Sequence, residues 1–377
     1  MGDIVLVLHG LGGVAVRGKI LASFVVALAL IGATLGAARA QGRPTPPPPI
    51  SSVPADTVLA SSFAAFDLGT NYLYNSSGQG GLAGLAHMFG TPNPNGGGAP
   101  EASPNPRYRA WSEGYNLAAR NEAVGNIAGD SRHSTGGVAG FGMLVAPGVT
   151  LNTSIDQSHT DINVMGQPQH GAYDLTQIGV SGAIESGAWT VSAALVRGFA
   201  EIHSSRDTLI GPATAGYNGN VWGALADVSY YIPLGRFRIV PRAGTDWLRS
   251  RTDPYSEAGG FLPATIPGLT ISRTRIFAGG ELGNFWMIDK TMIDVNVYGR
   301  LVDVVSFNAP PFVVAAATGG AIAQPVQPVT ESRLGYETGA QASLRLSPLA
   351  RLYVAYDARL RGGYQSRGGS VGVEFRW

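Results

Sequence analysis

The sequence predicts an all-β membrane protein, a closed antiparallel transmembrane β-barrel of about 12 strands. Three observations predict it. The body of the chain alternates apolar residues with polar or small ones, its connections alternate between tight turns and long loops, and it ends on an aromatic residue, Trp377. Composition agrees, since charged residues make up 14% of the 377 residues, against about 25% in soluble domains.

Composition also excludes several classes of function. The net charge of +1 lacks the basic excess of a nucleic-acid-binding protein. Cysteine is absent, so disulfides and thiolate metal sites are excluded. A hydrophobic content of 45% is too high for a largely disordered chain. We predict no cofactor and no metal.

The first 40 residues have the organisation of a secretory signal peptide. A basic stretch precedes an apolar run over 20–35, and Ala38 and Ala40 form a small-x-small cleavage pattern before Gln41. The alternative, a transmembrane anchor, is disfavoured because the run is short and contains glycine. Residues 1–15 lie upstream of the basic stretch, which predicts that the true start of the protein lies near Val16.

The region from 41 to 106 is a linker that contains one predicted helix. Its first part is proline-rich and its last part is rich in Pro, Gly and Asn. Between them, apolar residues over 56–74 follow a loosely helical stripe that Asp56 caps, with Gly69 as a predicted interruption. About 20 residues at 1.5 Å each span roughly 30 Å, close to the thickness of a bilayer core.

From residue 107 onward, segments with a period of two residues predict strands. The twelve predicted strands are 107–120, 136–146, 149–160, 172–185, 189–203, 218–232, 236–250, 270–288, 291–306, 330–346, 351–361 and 367–377. Short turns are predicted at 147–148, 185–188, 233–235, 289–290 and 347–349, and loops at 121–135, 161–171, 204–217, 251–269, 307–329 and 362–366. Short turns on one side and longer loops on the other are typical of outer-membrane barrels.

Charged residues share one face of the strands and apolar residues the other. An arginine that faces lipid at mid-membrane costs about 2–4 kcal/mol, so the charged face is predicted to line the lumen. The predicted lumen-lining residues are Glu113, Arg238, Arg242, Asp246, Arg273, Arg275, Glu281, Asp294, Arg300, Arg333, Glu337, Arg345, Asp357 and Arg359. They form either a salt-bridge lattice that stiffens the wall or a lining that binds the helix or selects solutes.

The final strand carries a predicted assembly signal. Val371, Val373, Phe375 and Trp377 share one face and end in an aromatic residue. This resembles the terminal signature of outer-membrane barrels, which the barrel assembly machinery reads.

Residues 107–377 resemble the translocator β-domain of autotransporters, the type V secretion proteins. The resemblance rests on RAWSEGYNLAAR, HSTGGVAGFGMLVAPGVTLNTSID, GAWTVSAALVRGFAEIHSSR, RFRIVPRAGTDWLRS and the terminal VGVEFRW, in that order. It implies a barrel whose pore holds an α-helix, here 56–74, and through which an N-terminal passenger is exported. The chain departs from the family in offering only 41–106 between signal and barrel.

Three functions remain open. The first is an outer-membrane translocator that exports or holds a short N-terminal segment. The alternatives are a non-specific channel and a surface adhesin that acts through its long loops. The expected partners are outer-membrane lipid, the Sec export machinery, periplasmic chaperones and the barrel assembly machinery, in the outer membrane of a Gram-negative bacterium.

No catalytic site is predicted. Histidines and aspartates occur in or near the predicted loops, among them His133, His159, His170 and His203. Their spacing contains no nucleophile, base and orienting group in a recognisable order. The glycine tracts precede no Lys-Ser/Thr, so they are not phosphate-binding loops. The chain is therefore predicted not to be an enzyme.

Overall fold

The computed structural model describes residues 55–75, 106–124, 127–288, 291–316, 324–326, 331–347 and 349–377. They form one helix, α1 (Ala55–Asn75), and eighteen strands. The strands are β1 (Tyr108–Asn121), β2 (Asp130–Ala146), β3 (Val149–Val164), β4 (Gln169–Ser186), β5 (Trp189–Thr208), β6 (Gly211–Tyr230), β7 (Ile232–Leu234), β8 (Phe237–Thr252), β9 (Tyr255–Ser256), β10 (Ala258–Gly259), β11 (Ala264–Ile266), β12 (Thr270–Ile288), β13 (Thr291–Asn308), β14 (Phe312–Ala316), β15 (Gln324–Val326), β16 (Leu334–Arg345), β17 (Ala350–Arg361) and β18 (Tyr364–Arg376).

Twelve long strands close into a barrel. Their order around the ring is β1, β2, β3, β4, β5, β6, β8, β12, β13, β16, β17 and β18. The pairing of β1 with β18 and of β6 with β8 closes the sheet, and all twelve contacts are antiparallel. A closed sheet pairs every strand edge, which a bilayer requires because it offers no water to backbone groups. The predicted fold class and strand number are confirmed.

The two ends of the barrel differ. At one, which we name the turn end, strands β2 and β3, β4 and β5, and β7 and β8 meet in tight turns. Gly148, Gly187 and Gly235 sit in these turns with positive φ, a conformation that a side chain disfavours. The backbone of Tyr108 bonds Trp377 at the same end, with N donating to O at 2.8 Å. The opposite end, the loop end, carries the longer connections.

The strands on one side of the barrel are longer than predicted. The predicted loop 204–217 is instead the top of the β5–β6 hairpin, with Leu209 and Ile210 alone between the strands. The predicted loops 121–135 and 161–171 likewise shrink to 122–129 and 165–168. The prediction was wrong because residues 204–208 are polar on both faces of the strand, so the alternation ends at His203 while the pairing of β5 with β6 continues.

The outer surface carries an apolar band bordered by aromatic residues. On β5, outward side chains from Trp189 to Phe199 are exposed and mostly apolar. Ten residue steps at about 3.3 Å and a tilt near 40° give a height of roughly 25 Å, the apolar band of an outer-membrane barrel. At the turn end Trp189 packs on Tyr230 at 4.7 Å, and Tyr108 packs on Phe141 at 5.9 Å. In the described part of the chain, α1 included, no helix has the length and apolar character to cross a membrane.

The apolar core lies inside the loop-end half of the barrel. Residues 253–269 and the described parts of the connection 309–333 pack onto this end and contribute a small sheet of β9, β11, β14 and β15. Its buried side chains join one apolar cluster with α1 and the inner faces of the barrel strands; they include Tyr255, Ile266, Val314 and Val326. The core therefore forms around the helix rather than between two sheets.

Candidate functional site

The helix α1 fills the barrel interior. Its side chains from Asp56 to Tyr74 are buried on every side, with Phe63 alone half-buried. The helix backbone packs close to β2 to β6 and β8, and side chains of β12, β13 and β18 also reach the helix. It continues through Gly69, contrary to the predicted interruption. A Cβ at this position would lie only 2.8 Å from the Leu248 side chain, so a larger residue would push the helix away from the wall. Glycine here permits close packing of helix on wall.

The helix runs from the loop end toward the middle of the barrel. Near its start, the Thr57 hydroxyl donates to Gln169 Oε1 at 3.2 Å, at the first residue of β4. Near its end, the Tyr72 hydroxyl donates to the Ser154 carbonyl at 2.8 Å, within the turn-end half of β3. The N-terminus of α1 therefore lies at the loop end.

Asp67 is the first polar anchor of the helix. Its carboxylate pairs with Arg132 of β2 (Nη2 to Oδ2, 3.1 Å) and accepts a hydrogen bond from the Tyr364 hydroxyl of β18 at 2.5 Å. Arg132 also pairs with Asp130 at 3.2 Å. These side chains are almost fully buried, so the charges are compensated by one another and not by water.

Thr70 forms the second anchor. Arg273 of β12 donates from Nη2 to the Thr70 hydroxyl at 3.0 Å and from Nη1 to Glu331 Oε1 at 3.0 Å. The Arg273 guanidinium also lies 4.8 Å from the centre of the Phe66 ring. Glu331 belongs to a connection at the loop end and also pairs with Arg361. This anchor therefore joins helix, wall and loop.

Tyr74 forms the third anchor, at mid-barrel. Its hydroxyl donates to Asp246 Oδ2 at 2.7 Å, and its ring lies under the Arg300 guanidinium. Arg275 bridges Asp246 and Glu337, at 2.8 Å to each carboxylate. Glu337 also accepts from Arg300 Nε at 2.7 Å. The helix thus ends on a buried network of two arginines and two carboxylates.

Below the helix, toward the turn end, further charges pair between nearby strands along the inner wall. Arg238 Nη2 lies 2.9 Å from both Glu281 and Asp294. Three other predicted lumen residues have a partner on this inner face: Glu113 with the Tyr353 hydroxyl, Arg242 with Asp227, and Asp357 with the Tyr298 hydroxyl. Arg359 is buried there and Arg345 is half-buried. Arg333 is the exception: it precedes β16, its side chain is 74% exposed, and it pairs with Asp303 at the loop end.

The sequence did not single out Asp67, Thr70, Arg132 or Tyr364. Asp67 carried a signal, since it is a lone carboxylate in the middle of an apolar helix and needs a buried partner. Its partners are far away in the chain, and Arg132 lay in a segment predicted to be a loop. Only the closed ring brings β2 and β18 to the same face of α1.

The predicted assembly-signal residues lie on the outer face of β18. Val371, Phe375 and Trp377 are about half-exposed in the apolar band, and Val373 is less so. Trp377 packs against Tyr108 with ring centres 6.2 Å apart. The predicted cleavage residues Ala38, Ala40 and Gln41 lie outside the described residues.

Among the histidines in or near the predicted loops, one lies close to two carboxylates. His159 lies on the outer surface beside Asp174 (2.6 Å) and Asp161 (3.4 Å), all three well exposed. Within the described ranges, no group of three or more His, Asp or Glu side chains has the geometry to hold a metal ion. The best-developed site is the barrel interior, where side chains of the wall bind the helix.

A protein-family model described as the autotransporter β-domain matches residues 110–357, more than half of the chain. The chain belongs to this family. The resemblance inferred from the sequence is confirmed, and the protein is a β-barrel of the outer membrane. Autotransporter β-domains of known structure share its fold. The translocator domain of NalP from Neisseria meningitidis has a TM-score of 0.66 at 14% identity and covers 86% of this chain and 100% of that domain. The β-domain of the Bordetella autotransporter BrkA has a TM-score of 0.54 at 14% identity and covers 72% of this chain and 100% of that domain.

Relatives known by sequence are much longer. Outer membrane protein B of Rickettsia conorii is 22% identical over 368 residues, which make up 86% of this chain and 21% of that protein. Outer membrane protein B of Rickettsia rickettsii is 23% identical over 304 residues, 72% of this chain and 17% of that protein. The chain therefore spans about a fifth of the length of the curated relatives it matches.

Proposed function

We propose that this autotransporter barrel is a translocator that carries the segment before α1 through its pore and then retains α1 as a plug. The observation that supports this is the direction of the helix. With Thr57 at the loop end and Tyr74 at mid-barrel, the residues that precede Ala55 start from the loop end. The turn end, where β1 begins and β18 ends, faces the periplasm in this proposal.

The route requires a set of partners. In the proposal, residues 1–40 direct the chain to the Sec machinery and are cleaved after Ala40. Periplasmic chaperones then deliver the chain to the barrel assembly machinery. The outward face formed by Val371, Val373, Phe375 and Trp377 is the element which that machinery reads. Outer-membrane lipid then contacts the apolar band, and the barrel has no catalytic role.

An open, non-specific channel is less consistent with the site. The helix is buried on all sides, and its three polar anchors are satisfied by the wall. An adhesin that acts through long loops is also less consistent, because loop-end side chains such as Tyr255, Ile266, Val314 and Val326 are buried in one cluster with the helix.

Cysteine labelling in intact cells tests the direction of export. The natural chain has no cysteine, so one introduced thiol reports a single position. Three variants are needed: Ser51→Cys before the helix, Leu209→Cys at the tip of the β5–β6 hairpin, and Ser186→Cys at the turn end. The reagent is a maleimide that does not cross membranes.

We expect Ser51→Cys and Leu209→Cys to react in intact cells, and Ser186→Cys to react only after the outer membrane is broken. Labelling of Ser51→Cys only after breakage would contradict export. Labelling of Ser186→Cys in intact cells would contradict the proposed orientation of the barrel.

A further inference from the structure

The outer surface of the barrel carries a row of arginines at the loop-end border of the apolar band. Arg197 of β5, Trp222 of β6 and Arg249 of β8 are directly opposite one another in the strand register. One step further toward the loop end, Phe199, Asn220 and Arg251 form the next row.

These side chains point outward. Leu195 and Phe199, on the same face of β5 as Arg197, are 59% and 50% exposed, and Trp222 is 42% exposed. Arg249 and Arg251 are exposed and alternate along β8 with the buried Leu248 and Ser250. The three arginines are therefore separate from the ion pairs of the interior.

The residues paired with these arginines across the neighbouring strands are uncharged. Directly across the strands, Arg197 meets Ile178 and Trp222, Arg249 meets Trp222 and Ser272, and Arg251 meets Asn220 and Thr270. Among the described residues, none of the three arginines forms an ion pair with a carboxylate. The nearest outward-facing acidic residues along the chain are Glu201 of β5 and Asp253 just after β8, both further toward the loop end, whereas Asp246 of β8 is buried on the inner face.

Two aromatic rings lie beneath Arg197 on the outer surface. The Arg197 guanidinium lies 4.1 Å from the centre of the Trp222 ring and 5.1 Å from that of Phe199. Neighbouring strands are about 4.8 Å apart, so Arg197 and Arg249 start roughly 10 Å apart on the two sides of Trp222. Both side chains are long enough to reach a group that lies over the indole.

We propose that Arg197, Arg249 and Arg251 bind the phosphate of a lipid headgroup, whose acyl chains lie on the apolar band below. Guanidinium groups bind phosphate oxygens in pairs of charge-assisted hydrogen bonds. Cations at headgroup level attract anionic lipids, and an indole suits the border between headgroup and acyl chain. Only a lipid has acyl chains that can contact the apolar band, so the band would favour a lipid over a free phosphate.

Native mass spectrometry of the full barrel in neutral detergent tests this proposal. The probe is phosphatidic acid, and diacylglycerol with the same chains is the comparison, because the two differ only in the phosphate. The test variant carries Arg197→Gln, Arg249→Gln and Arg251→Gln. The matched control carries Arg120→Gln and Arg367→Gln, which remove outward arginines from β1 and β18 on the opposite side of the ring.

We expect the unaltered barrel to bind phosphatidic acid at least tenfold more tightly than diacylglycerol. The triple variant is expected to lose this preference, while the control stays within twofold of the unaltered barrel. Equal binding by the triple variant and the unaltered barrel would overturn the proposal. A folded-band assay on unheated gels establishes that each variant retains the barrel.

A competition arm separates a lipid from a free anion. Phosphatidic acid that stays bound in a large excess of inorganic phosphate supports a lipid site, because the acyl chains contribute to its affinity. Displacement of the lipid by inorganic phosphate would overturn the lipid assignment.

Discussion

Arg300 of the barrel wall lies over the ring of Tyr74 of the helix, with its guanidinium carbon 3.7 Å from the ring centre. The same arginine donates to Glu337, which Arg275 links to Asp246, the acceptor of the Tyr74 hydroxyl. The end of α1 is therefore bound both through its aromatic face and through its hydroxyl. The charged lattice of the wall serves as a binding site for the helix, in addition to any role in stiffening the barrel.

Deletion of residues 41–75 should open the pore. Without α1, the wall arginines and carboxylates face an interior that water can enter. Planar-bilayer recordings should show steady ion conductance for this variant and little for the unaltered mature chain. A variant that lacks only 41–54 keeps the helix and is expected to stay closed. Equal conductance of all three would contradict the assignment of α1 as a plug.

Substitution of Tyr74 should separate its two contacts. Tyr74→Phe keeps the ring under Arg300 and loses the bond to Asp246, which costs about 1 kcal/mol and raises the frequency of pore openings roughly fivefold. Tyr74→Ala also removes the ring from a packed interior, a loss of about 3–5 kcal/mol, so openings should become over 100-fold more frequent. Single-barrel conductance measures both, and identical behaviour of the two variants would exclude a role for the ring.

Asp67→Asn should loosen the helix at its first anchor. The substitution leaves Arg132 buried with Asp130 as its remaining charged partner, and breaking a buried pair costs about 3–5 kcal/mol. The amide retains a bond to Tyr364, so we expect a loss of about 2–4 kcal/mol. Amide hydrogen exchange of α1 should accelerate roughly 30- to 1000-fold.

Arg333→Gln is the matched control for Asp67→Asn. It breaks an ion pair with Asp303 whose arginine is 74% exposed, and exposed pairs contribute little. Exchange of α1 amides should not change in this variant. Similar acceleration in both variants would mean that the effect is not specific to the helix anchor.

The sequence predicted the twelve-strand barrel correctly, but it did not predict the loop-end parts of several strands. Alternation fixed β12, where prediction and structure agree at both ends, because lipid outside and charge inside give opposite faces. Toward the loop end of β5, residues 204–208 are polar on both faces, so the alternation disappears although the pairing with β6 continues. The anchors of α1 were missed because contacts such as Asp67 with Arg132 depend on ring closure.

Gly140→Ala should impair barrel formation through a clash with Trp111. These residues are directly opposite on β2 and β1, and a Cβ on Gly140 would collide with the indole ring that covers it. Trp111 is buried on the inner face and the Arg109 guanidinium lies 4.5 Å from its ring centre, so the indole has little room to move. Overpacking of this kind costs about 1–3 kcal/mol.

Gly114→Ala is the control, since a Cβ there would meet no atom within 4 Å. Refolding into lipid vesicles, followed by the folded band on unheated gels, should be slower and less complete for Gly140→Ala alone; equal yields would show that the tryptophan can be displaced without cost.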